Sequence, residues 1–181
     1  EIYREDIKPE LVTARIRQIH GAGVVAAASV TPQRTASLTD AIIDAELDLL
    51  VIQGTVVSAE HVSKAQEPLN LKRFVRELDL PVIVGGCASY QAGLHLMRTG
   101  AAGVLVGFGG GAAHTTRDAL GVRVPMASAI ADVAAARRDY MDESGGRYVH
   151  VIADGGMGRS GDLPKAIACG ADAVMLGTTL A

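Results

Sequence analysis

Six short apolar runs, each preceded by a helical pattern, leave this 181-residue chain very few architectures. They are GVVAAASV (Gly23–Val30), LDLLVIQG (Leu47–Gly54), LPVIVGGC (Leu80–Cys87), GVLVGFG (Gly103–Gly109), YVHVIADGG (Tyr148–Gly156) and ADAVMLGT (Ala171–Thr178). Each carries about five or six residues of Val, Ile, Leu or Ala, the length and composition of a strand buried on both faces. Between them lie helices with legible ends. Pro9 sits in a first turn before ELVTARIRQIH, Ser37 begins SLTDAIIDAEL, Asn70 caps LKRFVREL, and Ser89 caps YQAGLHLMRTG. The longest helix, from about Ser128 to Glu143, is predicted to stop at the glycines of SGG.

Helices that end on Gly or another small residue and drop straight into the next strand form a rhythm: GAG-VV, AEL-DLLV, TGAA-GVLV, CGAD-AVML. Strand ends fall near 30, 53, 86, 107, 154 and 177, and three of the five gaps measure 21 to 24 residues. Such short β–α units oblige a parallel sheet with right-handed crossovers, either doubly wound or a TIM-type barrel. A doubly wound sheet concentrates its glycines at one switch point. Here glycine or polar residues follow most strands: Gln53-Gly54, Gly85-Gly86, Gly107 to Gly111, Asp154 to Gly156, and Gly177. Loops of that kind at every strand end favour the barrel. The expectation is an α/β fold, a TIM (β/α)8 barrel of which about six consecutive β–α units are present. Residues 1–181 then form one partial barrel domain, with the first two units, the C-terminal helix and a flap outside the sequence.

Composition narrows the function classes. With no Trp and only two Phe, the core must be built from aliphatic residues, as a sheet under helices is. The net charge is −3 and the 17 basic residues are scattered, which gives nucleic-acid binding no support. Two cysteines, Cys87 and Cys169, form no disulfide framework and fit a reducing compartment. No apolar run reaches the roughly 18 residues of a membrane span. The expectation is a soluble, cytoplasmic protein. His20, His61, His95 and His150 lack metal-ligand spacing, and no metal site is expected. Asp142-Glu143 and Arg137-Arg138 read as solvated helix surface.

The segment IADGGMGRSGDLPKAIACGADAVMLGTTLA, Ile152 to Ala181, carries the most chemistry. Asp154 ends a strand and is followed by Gly155 and Gly156. Ser160 and Asp162 open the next helix, and Gly177-Thr178 stands at another helix N-terminus one strand later. Two neighbouring helix starts with glycine turns make a phosphate site, and a carboxylate beside them suits a ribose diol. The plainer reading makes Asp154 a helix cap and the glycines tight turns. A second glycine loop, VGFGGGAAHTTRDALGV, has Gly107, Gly109, Gly110 and Gly111 ahead of His114.

The pattern DGG-x-x-x-SGD-x-x-KA-x-A-x-GA-x-AVMLG-[ST]-x-LA resembles the IMP dehydrogenase and GMP reductase family. The loop after Gly107 resembles that family's catalytic loop, G-x-G-x-GS-x-C-x-T, with the following G-V-x-VP tail. The resemblance runs from about Gly23 to Ala181 and is strongest from Gly103 onward; nothing in it matches an inserted regulatory domain. It implies a homotetrameric TIM barrel that binds a purine 5′-monophosphate and a nicotinamide cofactor, NAD or NADP. By position, Asp154 matches the ribose-binding aspartate. Gly155, Gly156, Gly177 and Thr178 match phosphate turns, and Gly107, Gly109 and Gly111 the loop glycines. Thr116 matches the loop threonine, while Ala112 stands for the phosphate-binding serine and His114 for the nucleophilic cysteine. On the cofactor side are Gln53, Gly54 and Thr55, with Gln53 in place of an aspartate; Cys87 replaces an asparagine.

The family reaction begins with a thiolate adding to C2 of the purine, and imidazole is no like-for-like substitute. His114 reads either as a general base or ligand contact, or as a polar residue on a glycine loop. Cys87 reads either as a displaced nucleophile or as a small buried hydrophobe. Two functional expectations follow. The first is an IMP-dehydrogenase-related oxidoreductase of purine nucleotide metabolism, serving GMP biosynthesis. The second is a catalytically silent nucleotide-binding or regulatory paralogue. A third, another barrel enzyme using the same phosphate cup for a different substrate or a flavin, fits the final segment less well.

Overall fold

The computed structural model describes residues 6–54, 69–111 and 113–180; Thr55, His61 and Ala112 lie outside the described residues. Six strands make one parallel sheet: β1 (Ala27–Val30), β2 (Leu49–Gln53), β3 (Val82–Cys87), β4 (Gly103–Val106), β5 (His150–Asp154) and β6 (Ala173–Met175). Their spatial order is their sequence order, β1 through β6, and every pairing is parallel. A doubly wound sheet would reverse order at its switch point. None occurs, and the sheet curls as a half-barrel with helices on its outside, a partial TIM barrel.

Seven helices link the described strands: α1 (Pro9–Gly21), α2 (Pro32–Asp44), α3 (Leu71–Glu77), α4 (Tyr90–Met97), α5 (Thr116–Leu120), α6 (Met126–Ser144) and α7 (Asp162–Ala168). The expected caps at Asn70 and Ser89 form: their side chains accept from the backbone N–H of Arg73 at 3.0 Å and Ala92 at 3.3 Å. Pro9 is in the first turn of α1, and α6 stops where Gly145 turns left-handed at φ 73°.

The core is the outer face of the sheet. Leu50, Ile52, Val82, Val84, Val104, Val106, Val151 and Ala153 alternate along β2 to β5 and are at most 1 % exposed beneath the helices. Of the other parity, Ile83 and Ile152 are half-buried, while Val51 and Leu105 are buried. Burying eight such aliphatic side chains contributes on the order of 10–20 kcal/mol before entropy is counted.

Several sequence expectations need correction. The strands are shorter than the apolar runs: Val24 and Val25 precede β1 and are exposed, and β4 and β6 end before their glycines. Helix α2 starts at Pro32, five residues before Ser37, because a proline at the first helical position presets φ. The Ser37 hydroxyl instead bonds to the Arg34 carbonyl inside the helix. Ser160 does not cap α7; the cap position is Gly161, and the Asp162 carboxylate folds back to accept from Arg159 N–H at 3.0 Å.

Arg137 is not solvated surface. Its guanidinium is largely buried, pairs with Asp172 at 2.5 Å and lies 4.8 Å over the Tyr148 ring. Asp172 also accepts from Val151 N–H at 2.8 Å and Tyr148 O–H at 2.5 Å, which rivets α6, β5 and β6 together at the end of the barrel opposite its loops. Glu143 is likewise engaged, bound by Arg98 through two nitrogens.

Candidate functional site

Three loops at the strand C-termini are built against one another. After β4 the chain leaves the sheet at Gly107, whose N–H donates to the Cys87 carbonyl at 2.8 Å. Gly107 has φ 154°, and a Cβ there would overlap the carbonyl oxygen of Asp154, so only glycine brings the β4 and β5 loops this close. The contact continues at Gly156 (φ 76°), where a Cβ would lie 2.8 Å from the Gly110 oxygen. The third loop joins through Thr179, which donates to the Met157 carbonyl at 2.8 Å.

These loops enclose a cavity of about 370 Å³ lined by Gly111, His114, Asp154, Gly156, Gly177 and Thr178, among others. Gly155 lines it too; Gly109, expected beside Gly111, does not. Thr116 opens the short helix α5 beyond the loop. A second cavity, about 320 Å³, opens beside β1 and β2 and is lined by Ser29, Val30, Thr31, Gln53, Gly54 and His114. His114 therefore fronts both. Ser29 and Thr31 are not singled out from sequence, although Thr31, polar and just past an apolar run, is signal enough.

Asp154 is the polar centre. Burial pushes its carboxyl above the usual range, and the charge of His114 and a hydrogen bond from Gln53 pull it back down. That hydrogen bond, Gln53 Nε2 to Asp154 Oδ2 at 2.7 Å, joins residues 101 positions apart. Cys87 does not face the mouth as a nucleophile. It is buried, its thiol donates to the Leu105 carbonyl at 3.4 Å, and burial pushes its pKa up to about 12. A thiol in that state is not attacking anything at neutral pH. Cys169 packs beside the core, as expected. Among the described residues no three His, Cys, Asp or Glu side chains gather as a metal site.

A parallel β/α segment with glycine loops and a carboxylate at its strand C-termini belongs to the class of β/α barrels, whose functional groups gather on the loops at that face. Comparison with known proteins narrows the class. Residues 12–181 match the family model of the IMP dehydrogenase / GMP reductase domain. An uncharacterized oxidoreductase of Mycolicibacterium smegmatis is 57 % identical over 182 residues, all of this chain and 48 % of that protein. Inosine-5′-monophosphate dehydrogenase of Methanocaldococcus jannaschii is 40 % identical over 144 residues, 78 % of this chain and 27 % of the enzyme. The crystal structure of an IMP dehydrogenase/GMP reductase-like protein from Corynebacterium glutamicum superposes with a TM-score of 0.88 at 54 % identity, over 96 % of this chain and 45 % of that one. The chain belongs to the IMP dehydrogenase / GMP reductase family. It spans about half the length of the oxidoreductases it matches most fully. Among the described residues no helix is long and apolar enough to cross a membrane.

Proposed function

We propose that the whole protein binds a purine 5′-monophosphate in the 370 Å³ cavity, with Asp154 on the ribose hydroxyls and the glycine turns on the phosphate. The observation that carries this is the convergence of Asp154, Gly155, Gly156, Gly177 and Thr178 on one cavity. Among the described residues no Lys or Arg lines it, so the phosphate would be met there by backbone N–H groups at glycine turns. Serving GMP biosynthesis in the cytoplasm as a homotetramer belongs to the same proposal and rests on family membership.

Family membership also points to NAD or NADP. The second cavity suits the nicotinamide end: Ser29 and Thr31 bring hydroxyls and Gly54 a bare backbone, neutral partners for a carboxamide and a ribose. When bound, the cofactor would supply a hydride acceptor. His114, between the cavities, would contact whatever occupies either one.

The silent-paralogue reading has its own observation. The position that resembles the nucleophilic cysteine is His114, and the thiol at the end of β3, Cys87, is buried with its pKa pushed up to about 12. We infer that thiol-dependent oxidation of IMP is slow or absent. Calorimetry of the full-length protein with IMP, GMP, XMP and AMP tests binding, and NADH formation from IMP at 340 nm tests turnover. Binding without turnover is the expected result; a folded oligomer giving no heat at millimolar nucleotide overturns the proposal.

A further inference from the structure

Asp154 and Gln53 end strands that are not neighbours. Strands β3 and β4 lie between β2 and β5, yet the Gln53 amide reaches the Asp154 carboxylate at 2.7 Å. Each intervening strand has a glycine near that level, although the buried Leu105 of β4 is the residue that pairs with Gly85. Gln53 is in register with Gly85 on β3, and β4 runs out at Gly107. A Cβ on Gly85 would overlap Leu105, and one on Gly107 would overlap Asp154 itself. The far end of the amide is held too, with Gln53 Oε1 3.5 Å from the Ser29 hydroxyl on β1.

We propose that Gln53 is a positioning residue, a strap across the barrel mouth that fixes the rotamer and the charged state of Asp154 for a vicinal diol. This rests on the nucleotide reading above. A free aspartate at a loop edge samples several χ angles, and each must be frozen when ligand binds. A carboxylate can only accept, so the amide nitrogen is the atom that faces it, and it occupies one acceptor site on Oδ2. Oδ1 and the remaining lone pair of Oδ2 stay available, as two adjacent hydroxyls require. Resemblance gives Gln53 to the cofactor, and it does line the second cavity; its amide also reaches the carboxylate that lines the first.

The strap also acts on charge. Facing Asp154 among the described residues are His114 and Gly107 from the β4 loop, Gln53 from β2 and Met175 from β6, of which His114 is the titratable one. Removing the amide donor leaves burial opposed by His114 alone, so the carboxyl must titrate at higher pH.

The test uses full-length protein, with Gln53→Met keeping side-chain length without the donor and Gln53→Glu placing a second carboxyl on Asp154. The Asp154 titration is followed without ligand by carbon-13 NMR of labelled aspartate, assigned by its loss in Asp154→Asn. Both variants are expected to move that titration to higher pH, Gln53→Glu further, because two touching carboxyls share one proton. IMP affinity should fall about tenfold in Gln53→Met, more steeply as pH drops. An unchanged Asp154 titration in both variants overturns the strap whether or not nucleotide binds. A shifted titration in a protein whose wild type takes no nucleotide upholds the strap and overturns the nucleotide reading alone.

Discussion

Two aspartates at opposite ends of the β5–β6 pair show how one residue type serves two purposes. Asp172, at the start of β6, accepts from Val151 N–H, the Arg137 guanidinium and the Tyr148 hydroxyl, so both its oxygens are engaged. Asp154, at the end of β5, has the Gln53 amide as its one hydrogen-bond partner among the described residues, and burial holds its carboxyl above the usual range. The first is a saturated acceptor that joins elements. The second is a carboxyl in a place that disfavours charge, with acceptor capacity left over, which on the proposed function is left for donors from a ligand. Barrels commonly divide labour this way, with stability at the strand N-termini and chemistry at the C-termini.

The sharpest way to break this contrast is to remove each carboxylate in turn. Asp172→Ala strands a largely buried guanidinium and a backbone N–H, and should cost roughly 2–4 kcal/mol of stability. Urea unfolding of the full-length protein measures it, and nucleotide affinity below the transition should not change. A loss of affinity matching the loss of stability would mean that the two ends are not separable.

Asp154→Asn should do the reverse. Affinity for a purine monophosphate should fall about ten- to a hundredfold, since two hydroxyls lose charged acceptors worth roughly 1.5–3 kcal/mol together. Stability at pH 7 should stay level or rise slightly. A carboxyl whose folded pKa is raised opposes folding once pH exceeds its ordinary value near 3.8, and the amide removes that opposition. The gain should vanish below that pH. A clear drop in melting temperature at pH 7 would assign Asp154 to the scaffold.

Cys87 sharpens the contrast within the mouth, as a strand-end residue that belongs to the core. At pH 8 iodoacetamide should modify it on the order of a hundredfold slower than a free thiol, because the thiolate is scarce and the group is buried. From about pH 9 to about 12 the thiol ionises only in the unfolded chain, so stability should fall as pH rises, by roughly 1 kcal/mol per unit from this group. Rapid labelling of native protein at pH 8 would return it to the list of nucleophiles.

What the sequence discloses follows the range of the forces involved. Strand order, helix caps at Asn70 and Ser89, and the rim positions of Asp154, His114 and Gln53 are all written in local pattern: apolar runs, capping residues, and what stands one step past each run. The start of α2 misleads because a serine before an apolar stretch imitates a cap while Pro32 has already set the backbone. Pairings are hidden for a different reason. Nothing near residue 137 announces Tyr148 and Asp172, and nothing near residue 53 announces Asp154, because which partners meet depends on curvature of the whole sheet. Their consequences are therefore missed together: Arg137 reads as surface, and the bond from Gln53 to Asp154 goes unread.

The smallest effect tests whether the scaffold end follows a rule. Asp48, at the approach to β2, repeats the arrangement of Asp172 at the opposite edge of the sheet. Its Oδ2 accepts from Ala26 N–H at 2.7 Å, as Asp172 accepts from Val151 N–H, and it lies 3.5 Å from His20 Nδ1. In both cases an aspartate just before one strand satisfies a backbone donor at its neighbour. The difference is company: Asp48 has a half-exposed histidine where Asp172 has a largely buried arginine and a tyrosine. Asp48→Ala should then cost only about 1 kcal/mol, the worth of one neutral-donor hydrogen bond at a partly open site, with nucleotide affinity unmoved. Urea unfolding beside Asp172→Ala measures the ratio. An equal or larger cost at Asp48 would show that the backbone bond, not the arginine and tyrosine, carries the rivet, and that the two aspartates are copies of one device.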